Sequence, residues 1–142
     1  MTSVSWGPAP DGLDQPFWDG LDAGEVRIQR CSSCRTWSWG PRTVCGTCHS
    51  FDLAWAPVEP AGIVYSWTRS RVPHVAEYTD RVPYVSVLVA LPAAGHCRMP
   101  GILDDEPDDP RIGDRVSGYV DHEAARPLLR WRRMPGQKSG AA

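Results

Sequence analysis

No stretch of this 142-residue chain approaches the roughly 20 consecutive apolar residues that a membrane-spanning helix needs. The opening "MTSVSWGPAPDG" has neither the basic start nor the apolar run of a signal peptide, so the expectation is a cytoplasmic protein with no membrane partner. Lysines are few and the formal net charge is −2, which supplies no overall field for gathering a polyanion. Internal repeats and low-complexity tracts are missing too. Nor can a paired-carboxylate or Ser-His-Asp set be assembled, and His74, His96 and His122 are scattered without metal-ligand spacing. Cys97 beside His96 suggests a nucleophile and its base, but neighbours in a strand point to opposite faces. Independent catalysis therefore has no residue set to rest on. What is present is a hydrophobic content of 42%, that of a globular protein, in a length that makes one ordinary domain or two very small ones.

Four of the five cysteines lie in "CSSCRTWSWGPRTVCGTC", as two Cys-x-x-Cys pairs with ten residues between them. In a reducing compartment such spacing belongs to metal ligands more often than to disulfides. Each pair can turn sharply enough to aim two sulfurs inward, and the spacer lets the second hairpin face the first, so Cys31, Cys34, Cys45 and Cys48 form a candidate tetrahedral zinc site. Iron is the alternative metal, because sulfur softness does not separate the two. Four protein ligands leave no open position for water or substrate, so the expected role is structural: to fold about thirty residues that lack a core of their own. No βαβ pattern surrounds either pair to support a redox dithiol.

Around the cysteines the chain reads as mainly β. Residues 1–13 are Gly- and Pro-rich and expected to be mobile, and residues 135–142 form a flexible tail. Residues 14–58 hold a short helix and the ribbon. Asp14 is its expected N-cap, Pro16 lies in the first turn, Phe17, Trp18 and Leu21 share a face, and Gly24 is the stop. "EVRIQRC" alternates like a strand entering the first knuckle. Residues 59–134 hold strands without an intervening helix. "GIVYSWTRS" puts Ile63, Tyr65 and Trp67 on one face; "VPYVSVLVAL", apolar on both faces, is central; "HCRMPGIL", "RVSGYV" and "LLRWRRM" complete five. Such a set predicts a small barrel of the OB type.

The order of these parts resembles a known family. A helix with "FW", a strand into the first knuckle, Pro41-Arg42 before the second, Trp55 on a short strand, "GIVYSWT", "PYVSVLVAL" and "IGDRV" are similar to zinc-ribbon and OB-fold proteins associated with acyl-CoA metabolism. The resemblance covers about Gln15 to Met134. It implies a small non-catalytic subunit of a thiolase-superfamily enzyme: an acyltransferase, a thiolase or a lipid-transfer-protein-like steroid side-chain aldolase. Where that family places a glycine after each knuckle, this chain has Arg35 and His49.

From the resemblance and the residues together come further expectations. Phe17, Trp18 and Leu21, ahead of a ribbon too small to bury them, are expected to dock on the large subunit. The loop "RSRVPHVAEYTDRVPY" is longer than a hairpin needs and is expected to face that subunit's active site, with acyl-CoA at the interface. There Arg69, Arg71 and Arg81 could meet CoA phosphates or an acidic rim, while His74, Tyr78 and Tyr84 could cover an acyl or steroid group. The competing reading is an OB-type binder of single-stranded nucleic acid. Tyr65, Trp67 and Tyr84 would be its stacking platform, beside the basic last strand "LLRWRRM" in a C-terminal end that carries Arg126, Arg130, Arg132, Arg133 and Lys138. The acidic loop Asp104, Asp105, Glu106, Asp108 and Asp109 and a pI near 6.0 argue against it.

Overall fold

A computed structural model describes residues 7–104 and 107–135. Asp105, Glu106 and Lys138 lie outside the described residues. The chain begins with one helix, α1 (Gln15–Asp22), and continues with strands β1 (Val26–Cys31), β2 (Trp37–Ser38) and β3 (Leu53–Val58), paired antiparallel in the order β2-β1-β3. A closed barrel follows, built from β4 (Ala61–Ser70), β5 (Tyr84–Leu91), β6 (Cys97–Leu103), β7 (Arg115–Asp121) and β8 (Leu128–Arg133) in the order β4-β5-β6-β8-β7. All its pairings are antiparallel except β6 with β8. No described helix is long and apolar enough to cross a membrane.

The barrel interior follows from strict alternation in β5, where Val85, Val87, Val89 and Leu91 point inward. They meet Val64, Met99, Leu103, Val116 and the fully buried Trp131. Room for that indole comes from Gly101 on the neighbouring β6: a Cβ there would approach the ring to 2.6 Å. β4 departs from the expected alternation. A bulge between Val64 and Ser66 shifts its register against β5, so Ile63 and Tyr65 face out, Val64 is buried, and Trp67 packs against the core. Ile63, Tyr65 and Trp67 therefore do not share a buried face.

Helix α1 is joined to the ribbon sheet by its apolar side. Phe17 and Leu21 are 8% and 1% exposed, with the Phe17 ring edge-on to Trp39 at 4.8 Å. The ribbon thus buries both, contrary to the expectation that it is too small to do so. The reason is the Trp37-Ser38-Trp39 segment, β2 and the residue after it, whose two indoles lend the small sheet aromatic area. Asp14 stands at the N-cap position, yet its carboxylate does not cap the helix: it accepts the Ala9 N–H at 2.7 Å and the Trp18 indole N–H at 3.0 Å. Hydrogen bonds of Ala9, Gly12 and Leu13 tie the turn just ahead of the helix to it.

Candidate functional site

The two knuckles have the same backbone. In the first, the Cys31 N–H donates to Thr36 O and the Arg35 N–H to Cys31 O, each at 2.9 Å. In the second, the Cys45 N–H donates to Ser50 O at 2.8 Å and the His49 N–H to Cys45 O at 3.0 Å. Closing each turn requires a left-handed residue after the second cysteine, and Arg35 (φ 66°) and His49 (φ 62°) adopt it without being glycine. The departure from the family's glycines therefore leaves the turn intact. Between the knuckles, Pro41-Arg42 is anchored by the buried Gln29, whose amide makes both bonds to the Arg42 main chain at 2.9 Å, as a neighbouring strand would.

This framework brings the four sulfurs of Cys31, Cys34, Cys45 and Cys48 within 4.8 Å of one another. The Cys31–Cys48 and Cys34–Cys45 separations are 3.6 Å each, against about 3.8 Å for sulfurs set tetrahedrally ~2.3 Å from one zinc ion. All four cysteines are free thiols, so the pairs are not disulfides. The Cys34 N–H points at Cys31 Sγ and the Thr47 N–H at Cys45 Sγ, which stabilises negative charge on the sulfurs. Thr36, through its hydroxyl and main chain, pulls the Cys34 thiol down to about 6. At Cys48 the Ser50 main chain acts in the same sense, but burial and the neighbouring thiols override it and push the group up to about 11. Four thiolates this close repel one another unless a cation sits among them, and the donor set fits one soft divalent metal. Bound there, the metal would have a closed shell and would supply folding energy.

The fifth thiol lies apart. Cys97 is half-buried, and desolvation raises its pKa, with the Trp39 main chain only partly opposing this. His96 sits before the strand in a left-handed turn (φ 60°), so the two are not a nucleophile and base on one strand.

A second region is assembled by the barrel. The loop between β4 and β5 folds over the outer face of β5, β6 and β8 and encloses a cleft of about 390 Å³. Among the loop residues expected to face a ligand, His74, Tyr78 and Tyr84 line it, with the two tyrosine rings 4.8 Å apart. Arg81 lies beside it in an adjoining depression of about 380 Å³, its guanidinium 5.8 Å from the Tyr78 ring. Arg69 is not directed there; it is paired with Asp109 at 2.7 Å. Arg71 is exposed and outside both hollows. The floor was not visible in the sequence: Ser86, Pro100, Ile102, Leu128 and Arg130 come from three strands and converge only through the barrel's pairing. This is the face on which OB folds commonly hold their ligands.

The basic last strand is not an open phosphate track. Arg130 and Arg132 turn to Asp104 at 3.3 and 3.9 Å, and Arg133 to Asp114 at 3.8 Å and to the Asp108 carbonyl at 2.8 Å. The Tyr65 ring is covered by Arg98 at 3.8 Å, so it is no free stacking surface. Of Phe17, Trp18 and Leu21, only Trp18 keeps partial exposure, with Arg126 lying 5.9 Å from its ring.

Comparison with known proteins agrees with this geometry. Residues 18–54 match the model of the ChsH2 rubredoxin-like zinc ribbon domain, and residues 55–121 that of the ChsH2 C-terminal OB-fold domain. Among solved structures, a chain of the Ltp2–ChsH2(DUF35) aldolase superposes with a TM-score of 0.78 at 26% identity, over 89% of this chain and 98% of the other. A DUF35-family protein of unknown function from Sulfolobus solfataricus shares the fold, with a TM-score of 0.59 at 16% identity over 89% and 87% of the two chains. A search of curated proteins gives no significant match. With both halves matched in sequence order and the four-sulfur ribbon and five-stranded barrel in place, the chain belongs to the ChsH2 family of zinc-ribbon and OB-fold proteins.

Proposed function

We propose that this chain is the non-catalytic small subunit of a thiolase-superfamily enzyme acting on CoA thioesters, an aldolase, thiolase or acyltransferase. The observation that carries the reading is the superposition over 98% of a chain from an aldolase named for two proteins, Ltp2 and ChsH2. A chain built like one member of a two-protein enzyme is read as needing a counterpart of the other kind. Its own chemistry supports this. The sulfur cluster has no open coordination position for substrate, and the remaining cysteine is raised in pKa and has no base on its strand. The large subunit would supply the nucleophile, base and oxyanion donors. This chain would order the active-site loops and help enclose the acyl-CoA, with residues 71–84 toward the substrate.

Docking would rest on Trp18 and the ribbon surface around it. Phe17 and Leu21 contribute by fixing the helix rather than by contact, because their side chains are buried within this chain. The metal would be zinc, or iron in the same sulfur set, and the setting cytoplasmic. Purification from the native host tests the reading: a thiolase-like polypeptide should copurify. Robust aldolase, thiolase or acyltransferase turnover by the isolated chain would refute it.

A further inference from the structure

We infer that the cleft under the β4–β5 loop binds a small apolar molecule whose head is a hydrogen-bond acceptor, and that Arg130 selects that head. The inference deepens the proposed function by naming the ligand class of its loop, and it rests on that reading only for the ligand's place in catalysis. The volume of about 390 Å³ lies in the range of small-molecule sites. Its walls are Val75, Pro100, Ile102 and Leu128 with the rings of Tyr78 and Tyr84, so the body of the ligand is hydrocarbon or a fused ring. Its polar lining residues are His74, Ser86, Arg130 and the two tyrosines, and no carboxylate of the described residues is among them. Arg130 is the one permanently charged group among them, and a guanidinium can only donate.

That guanidinium is held in place before any ligand arrives. Its Nε lies 3.3 Å from Asp104 and its Nη1 4.0 Å from Asp121, while the Tyr119 hydroxyl donates to the same Asp104 at 2.7 Å. Arg132 shares Asp104 and stacks on Tyr119 at 3.9 Å. Two arginines and two carboxylates are neutral together, so the attraction is short-ranged and directional: it rewards an oxygen within hydrogen-bond reach, not any anion nearby. Arg130 also stands where the apolar cleft meets the depression holding Asp80 and Arg81. A ligand can thus lay its apolar body in the cleft, set its acceptor on Arg130 and extend a larger polar remainder outward. The acceptor could be a free carboxylate or the carbonyl of a thioester.

Titration calorimetry on the full, metal-loaded chain tests this with octanoate, octanoyl-CoA, octan-1-ol and octylammonium. Octanoate or octanoyl-CoA should bind about tenfold or more tightly than octylammonium, the scale of one charge-assisted hydrogen bond. Whichever of the first two binds tighter identifies the head as carboxylate or thioester. Arg130→Met should erase the preference and leave octan-1-ol unaffected, whereas Leu128→Trp, which fills the cleft with a larger uncharged ring, should abolish binding of all four. Equal affinities for the four probes, no binding to the full chain, or binding that survives Leu128→Trp in a folded protein would overturn it. Copurification of the large subunit, measured on the same variants, separates the two readings. An intact subunit complex without probe selectivity removes this inference alone, and selectivity without a complex removes the proposed function alone.

Discussion

The ribbon and the barrel solve the same problem by opposite means. The barrel is closed on itself and filled by Val64, Val85, Val87, Val89, Leu91, Met99, Leu103, Val116 and Trp131. The ribbon has a three-stranded sheet with a two-residue edge, and its apolar interior is limited to Val26, Ile28, Val58, the helix and the partly buried Trp37, Trp39 and Trp55. Its knuckles are instead organised around four converging sulfurs, with paired backbone turns and one buried glutamine setting the loop between them. Where a core cannot be assembled, directional ligands replace it. The two regions should therefore fail under different insults.

The largest separation should come from removing the metal. Cys45→Ser, or a strong chelator, should release about one metal per chain and unfold the knuckles, since structural zinc sites contribute on the order of 10 kcal/mol. Hydrogen exchange should show protection lost over residues 31–52 and kept in β5 and β6. Acid should act in the same sense. Each thiol must lose its proton to bind, so metal affinity falls as pH falls, and Cys48, pushed up to about 11 without metal, has the most to lose. Elemental analysis that finds no zinc or iron, or an unchanged metal content in Cys45→Ser, would erase the contrast.

The reverse insult targets the barrel. Trp131→Ala should cost about 3–5 kcal/mol, and Gly101→Ala about 1–3 kcal/mol because a methyl group there strikes the Trp131 ring. Both should lower the melting temperature without changing metal content. Metal loss from either variant at low temperature would mean that the ribbon depends on the barrel for its geometry.

The two regions also differed in how far the sequence disclosed them. The convergence of four sulfurs was legible because the cysteines fall in two short repeats whose spacing is itself the geometry. The inward face of β5 was legible because its alternation is unbroken. β4 was not: a bulge is a one-residue event that local pattern cannot place, and it turned Ile63 and Tyr65 outward. The cleft was half legible. His74 and Tyr78 lie in one loop and Tyr84 opens the strand that follows it, but Arg130 reaches the cleft from a strand 46 residues beyond Tyr84, and its partners Asp104 and Asp121 come from elsewhere again. Phe17 and Leu21 misled because the residue that covers Phe17, Trp39, lies in the cysteine spacer, where aromatic residues resemble loop filling.

Two smaller effects sharpen the comparison. Trp18→Ala should weaken association with the large subunit by roughly 2 kcal/mol, as loss of a buried aromatic anchor does. An unchanged affinity with a lowered melting temperature would place Trp18 in the fold alone. His49→Gly and Arg35→Gly should each change ribbon stability by only about 1 kcal/mol or less, because relief of the left-handed strain is offset by the greater freedom of glycine when unfolded. Chelator competition would register either sign; a loss of well over tenfold in metal affinity would show that these side chains do more than occupy a turn.

Reconstitution tests the central claim most directly. The thiolase-like large subunit of the same host should be assayed on a CoA thioester with and without this chain, at matched concentrations. The account predicts no turnover by this chain, weak activity or insolubility of the large subunit alone, and activity restored in a stable complex of the two. A large subunit that is fully active and soluble alone, and unchanged when this chain is added, would contradict it.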